Sequence, residues 1–76
     1  MQQYEYIDIY KGKPRKLLIL IPHEGLDFRV FCEADFLGSI RCEQDGDASI
    51  WKTDYNILKP IVSKIGAHIE RCKALL

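Results

Sequence analysis

The residues that could do chemistry in this chain are few and scattered. Three cysteines, Cys32, Cys42 and Cys72, stand 10 and 30 residues apart, and the two histidines, His23 and His68, are distant from each other. Zinc sites bring Cys and His in close pairs, and no such pair occurs. A thiol nucleophile needs an imidazole beside it. The hydropathy pattern puts all three cysteines on apolar faces, where cysteine acts as a small hydrophobe. Asp45 and Asp47 flank Gly46, with Glu43 nearby. Asp-x-Asp can open a calcium loop, but the later oxygen ligands and the distal Glu do not follow, so the string reads as hairpin chemistry. No catalytic residue, metal ligand or cofactor is assigned, and the expectation is a protein that is not an enzyme.

One charged cluster could contact phosphate. Lys11, Lys13, Arg15 and Lys16 place four cations in six residues, beside Tyr10. Lys59, Lys64, Arg71 and Lys73 add positive charge further on. Basic residues interleaved with an aromatic ring suit a nucleic-acid backbone. Against this, there is no RNP-like aromatic string, no GxxG loop and no recognition-helix signature. The chain carries 11 Lys plus Arg and 11 Asp plus Glu, so it has no global pull toward polyanions. Nucleic-acid binding through residues 11–16 is kept as the alternative function. The plain explanation of the cluster is a solvated turn.

Length limits what these residues can build. A chain of 76 residues makes one domain, residues 1–76, with a modest core. At 47% hydrophobic it is too apolar to be disordered. The longest aliphatic run, residues 17–21, falls far short of the roughly 20 residues that span a bilayer. An odd cysteine count and an N-terminus without signal-peptide character lead us to expect a cytoplasmic protein. No repeat or low-complexity tract occurs.

The elements follow from periodicity. Residues 4–10 (YEYIDIY) and 15–21 (RKLLILI) read as strands around a Lys-Gly-Lys-Pro turn. Residues 28–34 alternate, with Phe28, Val30, Cys32 and Ala34 on one face and Phe31 on the other. Asp35 marks a turn. Residues 36–42 form a fourth strand with Phe36, Gly38, Ile40 and Cys42 facing the core, and residues 48–51 a short fifth, after an Asp-Gly turn. The period then lengthens. Ile57, Leu58, Ile61, Val62, Ile65, Ile69, Cys72 and Leu76 define one face of a helix over about residues 59–74. The architecture expected is α+β, an antiparallel meander of four or five strands with one C-terminal helix across one face. Gly66, inside the helix, implies close approach to the sheet, and Trp51 is the expected neighbour.

One helix covers only one face, yet the apolar residues exceed that need. The expected interaction surface on the uncovered face is Tyr4, Tyr6, Tyr10, Leu18, Leu20 and Phe31. A contiguous patch of this kind usually marks association. The leading expectation is a small protein-interaction module, a homodimer or binder of a small protein, acting through that face or a sheet edge.

Residues 36–40 (FLGSI), Asp45-Gly46, Trp51, Ile61-Val62 and the Ile65-Gly66…Ile69-Glu70 helix resemble a group of small bacterial domains of unknown function. The resemblance spans roughly the last half of the chain. It implies a strand meander followed by a helix, and nothing about activity.

Overall fold

The computed structural model describes residues 3–74. Five strands, β1 (Gln3–Tyr10), β2 (Lys13–Leu20), β3 (Phe28–Cys32), β4 (Asp35–Asp45) and β5 (Ala48–Lys52), precede one helix, α1 (Val62–Ala74). The strands form a single antiparallel sheet in chain order. The fold is the expected α+β meander with a C-terminal helix.

Turn chemistry sets the register. Lys11 and Gly12 have φ of 51° and 78°, both left-handed, as a type I′ hairpin turn requires. Tyr10 therefore faces Lys13, and β2 begins at Lys13, two residues before the expected start. β3 ends at Cys32, not at residue 34. The tight turn is Glu33-Ala34, with Glu33 at φ 56°, and Asp35 opens β4 opposite Cys32. β4 runs past residue 42 to Asp45, because its last residues pair with β5 across the Gly46 turn.

The register of β4 shifts opposite Val30 and Phe31. Phe31 faces Phe36, but Val30 faces Gly38, so Leu37 is the extra residue. Leu37 packs against the core and Phe36 stays exposed, the reverse of simple alternation. Tyr55 lies over Gly38, where a Cβ would collide with its ring.

The core consists of Leu17, Ile19, Val30, Ile40, Leu58, Ile65 and Ile69, all essentially inaccessible. Each such side chain stabilises the fold by about 1.5–3 kcal/mol through burial. α1 lies across the curled sheet and touches both outer strands, β5 and β1. At the β5 side, a Cβ on Gly66 would collide with the Trp51 indole, so glycine sets the helix–sheet distance. The Trp51 Nε1–H also donates to Glu70 Oε1 at 3.3 Å.

The helix starts later than residue 59. Residues 56–61 form turns, in which the Leu58 N–H donates to the Tyr55 carbonyl and the Ile61 N–H to the Leu58 carbonyl. Pro60 disfavours a helical Lys59, which delays the first regular turn. Leu58 is buried as a result, while Ile57 faces solvent. Leu76 lies outside the described residues. Among the described residues no helix is long and apolar enough to cross a membrane.

Candidate interaction surface

Strand alternation and register sort every residue to one side of the sheet. Tyr4 pairs with Ile19 and Tyr6 with Leu17, so both tyrosines lie on the helix side and pack against the core. Tyr6 also meets the His68 ring at 5.2 Å between centroids. Tyr10, opposite Lys13, shares that side and is exposed. The expectation that Tyr4, Tyr6 and Tyr10 line the uncovered face is therefore corrected. Their β-strand alternation is intact, but the face assignment depends on the pairing register, which one strand cannot reveal.

The outer face keeps Leu18, Leu20 and Phe31 and gains Ile7, Ile9 and Phe36. Leu18 stands between Glu5 and Phe31, and Phe31 faces Phe36. Ile7 pairs with Lys16 and Ile9 with Pro14. Ile7, Ile9 and Phe36 are 57%, 65% and 49% exposed. Phe36 meets Phe31 at 5.4 Å and the Tyr55 ring edge-on at 5.9 Å. Ion pairs lie at both ends of this face: Lys16 Nζ to Glu5 Oε2 at 3.3 Å beside the arm, and Glu43 to Lys52 at 3.6 Å and to Arg41 at 3.9 Å beside β5. The outer face thus runs from an aliphatic arm past the Phe31–Phe36 pair to a charged end at Arg41, Glu43 and Lys52.

The aliphatic end projects. β3 pairs only with residues 17–20 of β2, so the hairpin segments 7–10 and 13–16 extend beyond the third strand as a two-stranded arm. The basic cluster is the tip of this arm, and its charge is partly spent. Arg15 Nε donates to Asp8 Oδ2 at 3.0 Å, in a pair whose side chains are 16% and 8% exposed. The Arg15 guanidinium also lies 4.2 Å from the Tyr10 ring centroid, and Lys11 lies 5.3 Å from it. Lys16 pairs with Glu5. Among the described residues only Lys11 and Lys13 of the four form no ion pair.

Asp8 was not singled out by the sequence reading. It is the buried charge of the described residues, 7% exposed. A signal existed: Asp8 and Arg15 are equidistant from the Lys11-Gly12 turn, so a two-residue hairpin must pair them.

The structure also brings one thiol and one imidazole together. Cys72 Sγ is 3.6 Å from His68 Nε2, one helical turn away. The same nitrogen lies 2.6 Å from the Glu5 carbonyl oxygen. A carbonyl only accepts, so Nε2 carries the proton and cannot take one from the thiol. His68 thereby ties α1 to β1. Elsewhere, an open cleft of about 450 Å³ lies where His23, Glu24 and Asp27 meet Arg29 and Phe36. Its mixed charges favour no single ligand class. Among the described residues no group of three His, Cys, Asp or Glu is placed to hold a metal ion.

In comparisons with protein-family models, curated proteins and solved structures, the chain matches none.

Proposed function

We propose that this chain is a small protein-interaction module that self-associates through the outer side of its sheet. In this reading it binds rather than catalyses, and it acts in the cytoplasm with its three cysteines reduced. The observation that carries the reading is the exposed aliphatic pair Ile7 and Ile9 on a projecting arm, on the same side of the sheet as Leu18, Phe31 and Phe36. Apolar side chains held in water on a rigid sheet gain free energy when a partner covers them, about 25 cal/mol per Å² of apolar area. The zero net charge puts no electrostatic barrier before a second copy. The nucleic-acid alternative draws less support, because Arg15 and Lys16 are already paired with Asp8 and Glu5.

The test is the Ile9→Asp variant. Ile9 is exposed, so the fold tolerates the change, and a charge there opposes burial. Light scattering should show wild-type association and a monomeric variant with an unchanged circular dichroism spectrum. A wild type that stays monomeric at high micromolar concentration would refute the reading.

A further inference from the structure

We infer that the arm, residues 7–10 and 13–16 with their turn, docks on an anionic lipid surface. Ile7 and Ile9 enter the headgroup boundary, and Lys11 and Lys13 meet the lipid phosphates. The inference goes beyond the self-association reading and applies to a monomer as well.

The arm has an apolar side. Strand alternation puts Ile7 and Ile9 on its outer side, and Pro14 stands opposite Ile9 on that same side. All three are exposed. Tyr10 lies on the other side with its ring in water. An apolar body with a polar tip suits the level of the lipid headgroups.

The arm also has a charge that the rest of the molecule lacks. Residues 7–16 hold four cations and one carboxylate, a net charge of +3. The whole chain is neutral, so the remainder carries −3. The protein is therefore a charge dipole with its positive end at the arm. An anionic bilayer attracts that end and repels the other, which turns the arm toward the lipid. Arg15 is held by Asp8 and stacked on Tyr10. Lys11 and Lys13 form no ion pair among the described residues, so they are the cations left for the surface.

Reach and order complete the geometry. Four residues at about 3.3 Å each carry the arm about 13 Å past β3. Elements that lie in the interface bury their apolar side about 5–10 Å deep. The arm attains that depth while the charged end at Arg41, Glu43 and Lys52 stays in water. The left-handed Lys11-Gly12 turn and the Asp8–Arg15 pair fix the arm beforehand, so little ordering is lost on docking.

The two features together choose the occupant. A nucleic-acid backbone would engage Lys11 and Lys13 and leave both isoleucines in water. A second copy would cover the isoleucines but bring a second basic tip. An anionic lipid surface answers the apolar side and the charge at once.

The experiment is co-sedimentation with vesicles of phosphatidylcholine alone and of phosphatidylcholine with roughly one third phosphatidylserine. The wild type should bind the second kind and not the first. Lys11→Glu with Lys13→Glu should weaken binding about a hundredfold or more, since each of four charge units is worth about fivefold. Ile7→Ser with Ile9→Ser keeps every cation and should weaken it about tenfold or more. All four positions are exposed, so the circular dichroism spectrum should not change. A wild type that ignores phosphatidylserine vesicles, or binds both kinds equally, overturns lipid docking without recourse to any variant. It leaves self-association to be decided by light scattering. Full binding by the serine variant also overturns it, and equal binding of a single-stranded oligonucleotide would then assign the tip to nucleic acid. A wild type that binds phosphatidylserine vesicles as a monomer supports lipid docking and sinks self-association.

Discussion

Two residues show how a local choice decides a larger outcome. Gly66 sits in a helix, where alanine ordinarily adds about 1 kcal/mol of stability. Here the Cβ would enter the Trp51 ring, which is held by Phe28 at 5.3 Å and by its bond to Glu70. Overpacking outweighs propensity, and Gly66→Ala should destabilise the protein by about 1–3 kcal/mol in urea titration. A gain in stability would show that the helix can shift. Asp8 is the second case. Asp8→Ala leaves the shielded Arg15 guanidinium without its acceptor, at a cost of about 1–3 kcal/mol by the same measurement. Gly66 and its neighbour were legible in the sequence, since a glycine inside an apolar helical stripe implies close approach. Asp8 was legible only through the hairpin symmetry, which had to be combined with charge to be seen.

At the scale of elements, hydropathy period and turn residues were enough for the strand order and the helix. They were not enough for the faces. Alternation along residues 36–42 puts Phe36 inside and Leu37 outside, but the extra residue opposite Val30 and Phe31 reverses this locally. Gly38 inside the strand is a bulge signal but does not say which residue is extra, so the reversal needs the paired strand to be known. The reversal is measurable. Leu37→Ala should cost about 2 kcal/mol as a core truncation, and Phe36→Ala less than about 1 kcal/mol. The opposite ranking would place Phe36 in the core. The same dependence on register moved Tyr4 and Tyr6 to the helix side. Their types suited an interface, but the residues opposite them, Ile19 and Leu17, are buried. Likewise the helix period extended back to Ile57 by pattern alone, whereas Pro60 holds residues 56–61 in turns.

For the whole molecule, the opposing features are a neutral chain with a basic arm tip and an apolar outer face. The helix spans the concave side from β5 to β1 and leaves the other side open. If the apolar surface drives association, salt should alter it little, because screening acts on exposed charges and not on buried area. Reversing the two tip cations that form no ion pair among the described residues, Lys11→Glu with Lys13→Glu, should then leave the oligomeric state unchanged in light scattering. Association that weakens steeply with salt, or that this double variant abolishes, would transfer the function to the tip.

The most direct measurement is molar mass by light scattering across concentration, for the wild type and Ile9→Asp side by side. A wild type that reaches the mass of a dimer, beside an Ile9→Asp variant that stays folded and monomeric, is the outcome the proposed surface requires. Equal masses for the two proteins at every concentration would contradict it.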